Sequence, residues 1–136
     1  MSILSGILCF LEIADLALKV KEKFTSKPDK EKYAIFLHLV GKLLLDVSNH
    51  LEEGRYPHDK CQEMWHYLQE LNGVMKVVLT AEQADHLVAQ ITEAHRVEQL
   101  FGQMSTLSME EKAEQLQAIR SAAGSFIAVS NLLRVK

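Results

Sequence analysis

A chain of 136 residues with a net charge of −3, 48% hydrophobic and 24% charged residues, and only six glycines and two prolines has room for one core and few breaks for a strand-and-turn protein. That balance excludes disorder and collagen-like repeats, and the missing basic excess argues against nucleic-acid partners, whose phosphates select positive fields. Two cysteines far apart in sequence, Cys9 and Cys61, fit buried thiols in a reducing compartment, so a single cytoplasmic domain over residues 1–136 is expected.

The opening run "MSILSGILCFLEIADLALKV" starts apolar, as a secretory leader or a membrane anchor would. Basic residues are absent before it, no small-residue cleavage site follows, and Glu12 and Asp15 interrupt it short of the roughly 20 apolar residues that a span needs. It reads as a first helix over about residues 3–24, with Lys19, Lys21 and Lys23 in the last turns, where positive charge suits the negative end of the helix dipole. In "TSKPDKE" Ser26 is the candidate N-cap of a second helix over about residues 27–53, and Pro28 is tolerated in a first turn where its missing N–H has no partner. Gly54 can close that helix with a positive φ, and Pro57 keeps Tyr56 extended, so the chain turns there.

A third helix begins near Pro57. Cys61, Met64, Leu68, Leu71, Met75 and Val78 recur at alternating spacings of three and four, the seam of a bundle helix, while Asn72-Gly73 leaves open whether it kinks or ends there. Thr80 with Gln83 and Ser108 with Glu111 have the spacing of reciprocal capping boxes, which start helices over about residues 81–104 and 109–134. Sustained period-two alternation and internal repeats are both missing. The fold expected is all-α, an up-and-down bundle of four to five antiparallel helices joined by short loops.

The stretch "RYPHDKCQEMWHYLQEL" concentrates the chemically useful side chains. Its Glu63-Met64-Trp65-His66 contains Glu-x-x-His, which in di-iron carboxylate bundles points inward and occurs twice with further carboxylates. Here it occurs once, and at about 100° per residue Glu63, His66 and Glu70 fall opposite the seam marked by Cys61. They read as a solvent stripe. His58-Asp59, with His38 upstream and Asp85 downstream, follows the order found in helical metal-dependent phosphohydrolases, which makes such a hydrolase the first alternative function. Against it, the doublet follows Tyr56-Pro57, where Asp59 serves a helix N-terminus electrostatically. His95 and Glu98 share a side with Leu87, Val88 and Ile91, but the apolar face rotates further along and turns Glu98 outward. The small residues of "SAAGSF" at 121–126 predict a close helix approach. No catalytic, metal-binding or cofactor-binding residue is assigned, and no cofactor is called for. The six lysines from Lys19 to Lys32, set against Glu22, Asp29 and Glu31, supply a second alternative, peripheral binding to an anionic membrane, held below a protein partner because mixed charge at helix ends is ordinarily solvated.

Helix 1 carries a polar stripe of Ser5, Glu12, Asp15, Lys19 and Lys23 only about 80° wide, and helix 2 one of about 120°, through Glu31, His38, Lys42, Asp46, Asn49 and Glu53. Two helices with so much apolar circumference require either a fifth helix that covers them or an apolar face left over for a partner. The second reading is preferred: a non-catalytic interaction or regulatory protein, self-associating through helices 1 and 2 as a two-fold dimer, since one self-complementary patch is then used twice. Leu4, Ile7, Leu11 and Leu18, along one side of helix 1 and bordering its polar stripe, are the expected interface residues.

Overall fold

The computed structural model describes residues 3–100 and 107–134, with side chains from residue 8 to 96 and from 107 to 134. Among the described residues five α-helices follow one another: α1 Ile3–Val20, α2 Lys27–Glu52, α3 His58–Met75, α4 Ala81–Leu100 and α5 Met109–Arg134, with a short 3-10 turn at Lys21–Lys23 after α1. Among the described residues there is no strand. The expected all-α bundle is the observed one.

Local chemistry sets the helix ends. Ser26 Oγ accepts the Asp29 N–H at 3.3 Å and starts α2. Thr80 and Gln83 exchange side-chain to backbone hydrogen bonds at 3.1 Å each, and Ser108 and Glu111 do the same at 3.1 and 3.2 Å. Each reciprocal pair satisfies two amides that a helix N-terminus leaves without partners. Gly54 has φ of 82°, the one positive φ among the described residues, and it lets the chain leave α2. Asn72-Gly73 does not stop α3, which runs on to Met75.

Cross-helix contacts fix the directions. Asp46 faces Lys60 at 3.8 Å and Phe36 faces Tyr67 with ring centroids 6.2 Å apart, so α2 and α3 are antiparallel. Ser130 Oγ donates to the Ala34 carbonyl at 2.7 Å while Arg120 Nε donates to Ser48 Oγ at 3.2 Å, so α2 and α5 are antiparallel too. The helices form a ring in the order α3, α2, α5, α1, α4, with α3 and α4 closing it most sparsely. An up-and-down ring with an odd number of members must contain one parallel pair, and here it is α1 with α5.

The core is continuous through all five helices, with Phe10, Ile13, Tyr33, Leu37, Leu44, Met64, Leu68, Leu71, Met75 and Phe126 fully enclosed. Every residue of the predicted α3 seam from Cys61 to Met75 is buried, and Val78 packs against the core from the following turn. Tyr33 ties the first two helices together: its ring stacks on Phe24 at 4.2 Å and its hydroxyl donates to the Ala17 carbonyl at 2.8 Å. Burial pushes its phenol well above the ordinary value, so it stays a neutral donor. By length and composition α2 could cross a membrane, and half of its apolar window is buried inside the bundle.

Candidate interaction surface

The stretch that concentrates His, Cys, Asp and Glu does not assemble into a centre. Glu63, His66 and Glu70 are exposed on the outer side of α3, where the wheel put them. His58 and Asp59 are exposed at the start of α3, with the Tyr56 ring 6.0 Å from that of His58. His38 sits halfway along α2 and Asp85 on the first turns of α4. Among the described residues no three His, Cys, Asp or Glu side chains are grouped so as to share a metal ion. His95 is half-buried with its ring against Trp65 of α3, centroids 4.1 Å apart. The Glu98 side chain lies outside the described ones.

Among the described residues three buried side-chain polar atoms have no hydrogen-bond partner: Nδ1 of His38, Nδ1 of His95 and Oε1 of Gln115. They lie on three different helices. A surface groove of about 450 Å³ lies between the C-terminal end of α2 and α5 and is lined by Glu52, Leu116 and Arg120. Arg120 is committed there, bonded to Ser48, to Asn49 at 3.3 Å and to Glu52, so its charge already serves the α2–α5 contact.

What the structure leaves over is apolar surface on α1. Helix α5 packs against both α1 and α2 and covers much of the circumference that the sequence showed to be apolar. Leu18 is 43% exposed and Leu11 is half-buried against the core, whereas Leu4 and Ile7 lie outside the described side chains. Leu8, which is not among the four expected interface residues, is 45% exposed. A legible signal existed, since Leu8 is three residues before Leu11. Leu8, Leu11 and Leu18 fall within about 80° of one another at 100° per residue. Exposed Glu12, Asp15 and Lys19 lie among and beside them, and Glu12, Asp15, Lys19 and His86 line a groove of about 250 Å³ between α1 and α4. There the Glu12 carboxylate is 3.6 Å from His86 Nε2.

The surface continues onto α5 rather than α2. The Tyr33–Ala17 and Ser130–Ala34 hydrogen bonds place residues 17, 33, 34 and 130 at one height of the bundle. Leu18 and the half-exposed Leu132 therefore sit at the same level on the parallel neighbours α1 and α5. Ile35, the exposed apolar residue of α2, is on the far side of α5.

The chain matches no family of known proteins, no curated protein and no solved structure. The surface must be read on its own chemistry.

Proposed function

We propose that this chain is a non-catalytic interaction protein that pairs with a second copy of itself through the outward face of α1 and the adjoining part of α5. The observation that carries the reading is the row Leu8, Leu11 and Leu18, exposed or half-exposed on one helix face, together with the order of charge along it. Acidic Glu12 and Asp15 come first and basic Lys19 and Lys23 follow. Two copies of α1 packed antiparallel about a two-fold axis near residues 15 and 16 bring Glu12 of each against Lys19 of the other. Such a surface is self-complementary in both charge and apolar area, which is what an isologous dimer requires. Buried Cys9 and Cys61 thiols support placing the protein in the cytoplasm.

Affinity in such an interface, of about 1,600 Å² in total, is concentrated in a few central side chains. Light-scattering mass with circular dichroism tests it. The wild type is a dimer at micromolar concentration, and Leu8→Glu or Leu18→Glu halves the mass while helicity is retained, because neither position is core. Lys19→Glu alone weakens the dimer by setting it against Glu12, and Glu12→Lys/Lys19→Glu restores it. A wild type that is monomeric at high micromolar concentration, or a Leu18→Glu variant that keeps its mass, sinks the proposal.

A further inference from the structure

The turn after α1 and the turn after α3 lie side by side at one end of the bundle, tied by a hydrogen bond from Lys23 Nζ to the Val78 carbonyl at 3.3 Å. The antiparallel course of α5 along α2 brings Arg134 to the same end. Folding therefore adds Lys76 and Arg134 to the six lysines from Lys19 to Lys32. Within one helical turn of this end lie seven of the 15 basic residues, all of these but Lys32, and three of the 18 acidic ones, Glu22, Asp29 and Glu82. The rest of the bundle is left with the acidic excess, so the molecule is charge-polarised along its axis although its net charge is −3.

Two features separate this end from an ordinary solvated terminus. Lys27 and Lys30 occupy the first turn of α2, where the helix dipole is positive and lysine is unfavourable, so helix stability does not account for them. Beside Lys76, Val77 is 75% exposed at the tip of the α3–α4 turn, and Leu132 on the last turns of α5 is 50% exposed. Lysines around a protruding apolar tip match a surface that is anionic outside and apolar just beneath.

We propose that this end of the bundle docks on anionic lipid membranes, the lysines drawing it to the headgroups and Val77 entering the interface. The acidic remainder is then turned away from the surface, which fixes the orientation. This end adjoins the α1 face assigned to self-association and shares Lys19, Lys23 and Leu132 with its edge, whereas Lys27, Lys30, Lys32 and Val77 lie outside that face, so substitutions at those four let either assignment fail alone.

Flotation of the full chain with vesicles of phosphatidylserine and phosphatidylcholine, against pure phosphatidylcholine, tests it. Binding to the anionic vesicles at low salt that disappears at high salt is expected. Lys27→Gln/Lys30→Gln/Lys32→Gln lowers the partition coefficient by about fivefold per lysine, while its thermal melt is unchanged or higher because the dipole conflict is relieved. Val77→Asp, at an exposed turn, lowers partition with the fold intact. Absence of flotation at low salt overturns the proposal, as does a triple variant that partitions like the wild type. Val77→Asp that floats unchanged while heparin competes fully also overturns it, assigning the end to soluble polyanions.

Discussion

The α2–α5 seam and the α3–α4 contact are both antiparallel helix pairs, yet they are held together differently. On the seam small residues face each other. A Cβ on Gly41 would stand 2.7 Å from Ile127 Cγ1 and 3.0 Å from the Ala123 carbonyl oxygen, so the two backbones approach as closely as a glycine permits. Across it the Ser130 hydroxyl donates to the Ala34 carbonyl and Ser48 Oγ accepts from Arg120, while Ser48 donates within α2 to Leu45. Between α3 and α4 the contact is sparse, centred on the Trp65–His95 ring pair, and it leaves a buried imidazole nitrogen without a partner. Small side chains permit the close packing that a stable pair needs, while large rings bridge a gap.

The sharpest break is at Gly41. Gly41→Val forces α2 and α5 apart and costs about 3 kcal/mol, the upper range for overpacking a tight interior. Gly73→Ala in α3 meets nothing within 4 Å and raises stability by about 0.5 kcal/mol through helix propensity. Urea unfolding of the two variants checks both signs. A Gly41→Val protein as stable as the wild type shows that the seam is no tighter than the α3–α4 contact.

Smaller and opposite effects are expected at the polar groups. Ser130→Ala removes a buried hydrogen bond across the seam and costs about 1 kcal/mol. His95→Phe keeps a ring against Trp65 but deletes the stranded nitrogen, so it is neutral or stabilising by up to about 1 kcal/mol. Equal losses for the two would mean that the α3–α4 contact is as well satisfied as the seam.

Which parts of this were legible in the sequence follows from the range of each interaction. The caps at Ser26, Thr80 and Ser108, the turn at Gly54 and the Cys61–Met75 seam are patterns of three or four residues, so each was readable in place. The ring order was not, because it depends on which faces meet across long separations. Gly41 reads in isolation as a mild helix-weakening residue, and only Ala123 and Ile127 opposite it make it necessary. "SAAGSF" did announce a close approach, through Ala122, Ala123 and Phe126, but its Gly124 meets nothing. On the candidate surface, Leu11 and Leu18 were readable from helical spacing, whereas the insertion of α5 between α1 and α2 was not. The lysine run was visible, but Val77, Lys76 and Arg134 join it only through tertiary placement.

The smallest effect concerns surface charge. On α4, Arg96 hydrogen-bonds the Glu93 carboxylate one helical turn away and holds its pKa below the usual carboxylate value. A carboxyl depressed in the folded state binds protons more readily when unfolded. Its stabilisation is therefore fully present above the ordinary carboxylate pKa of about 4.3 and is lost as pH falls through the lower folded value. Glu93→Gln should melt slightly below the wild type near neutral pH, and the gap should close on acidification. Because this pair lies within one helix, the gap should also shrink with added salt and leave the α3–α4 contact as it was. Arg120→Gln provides the contrast. Its guanidinium joins α5 to Ser48, Asn49 and Glu52 of α2, so the loss on substitution includes a hydrogen bond across the seam that salt does not screen. Thermal melts of both variants at low and high salt distinguish them: a Glu93→Gln deficit that survives high salt, or an Arg120→Gln deficit that vanishes there, would show that the two regions do not differ in how charge supports them.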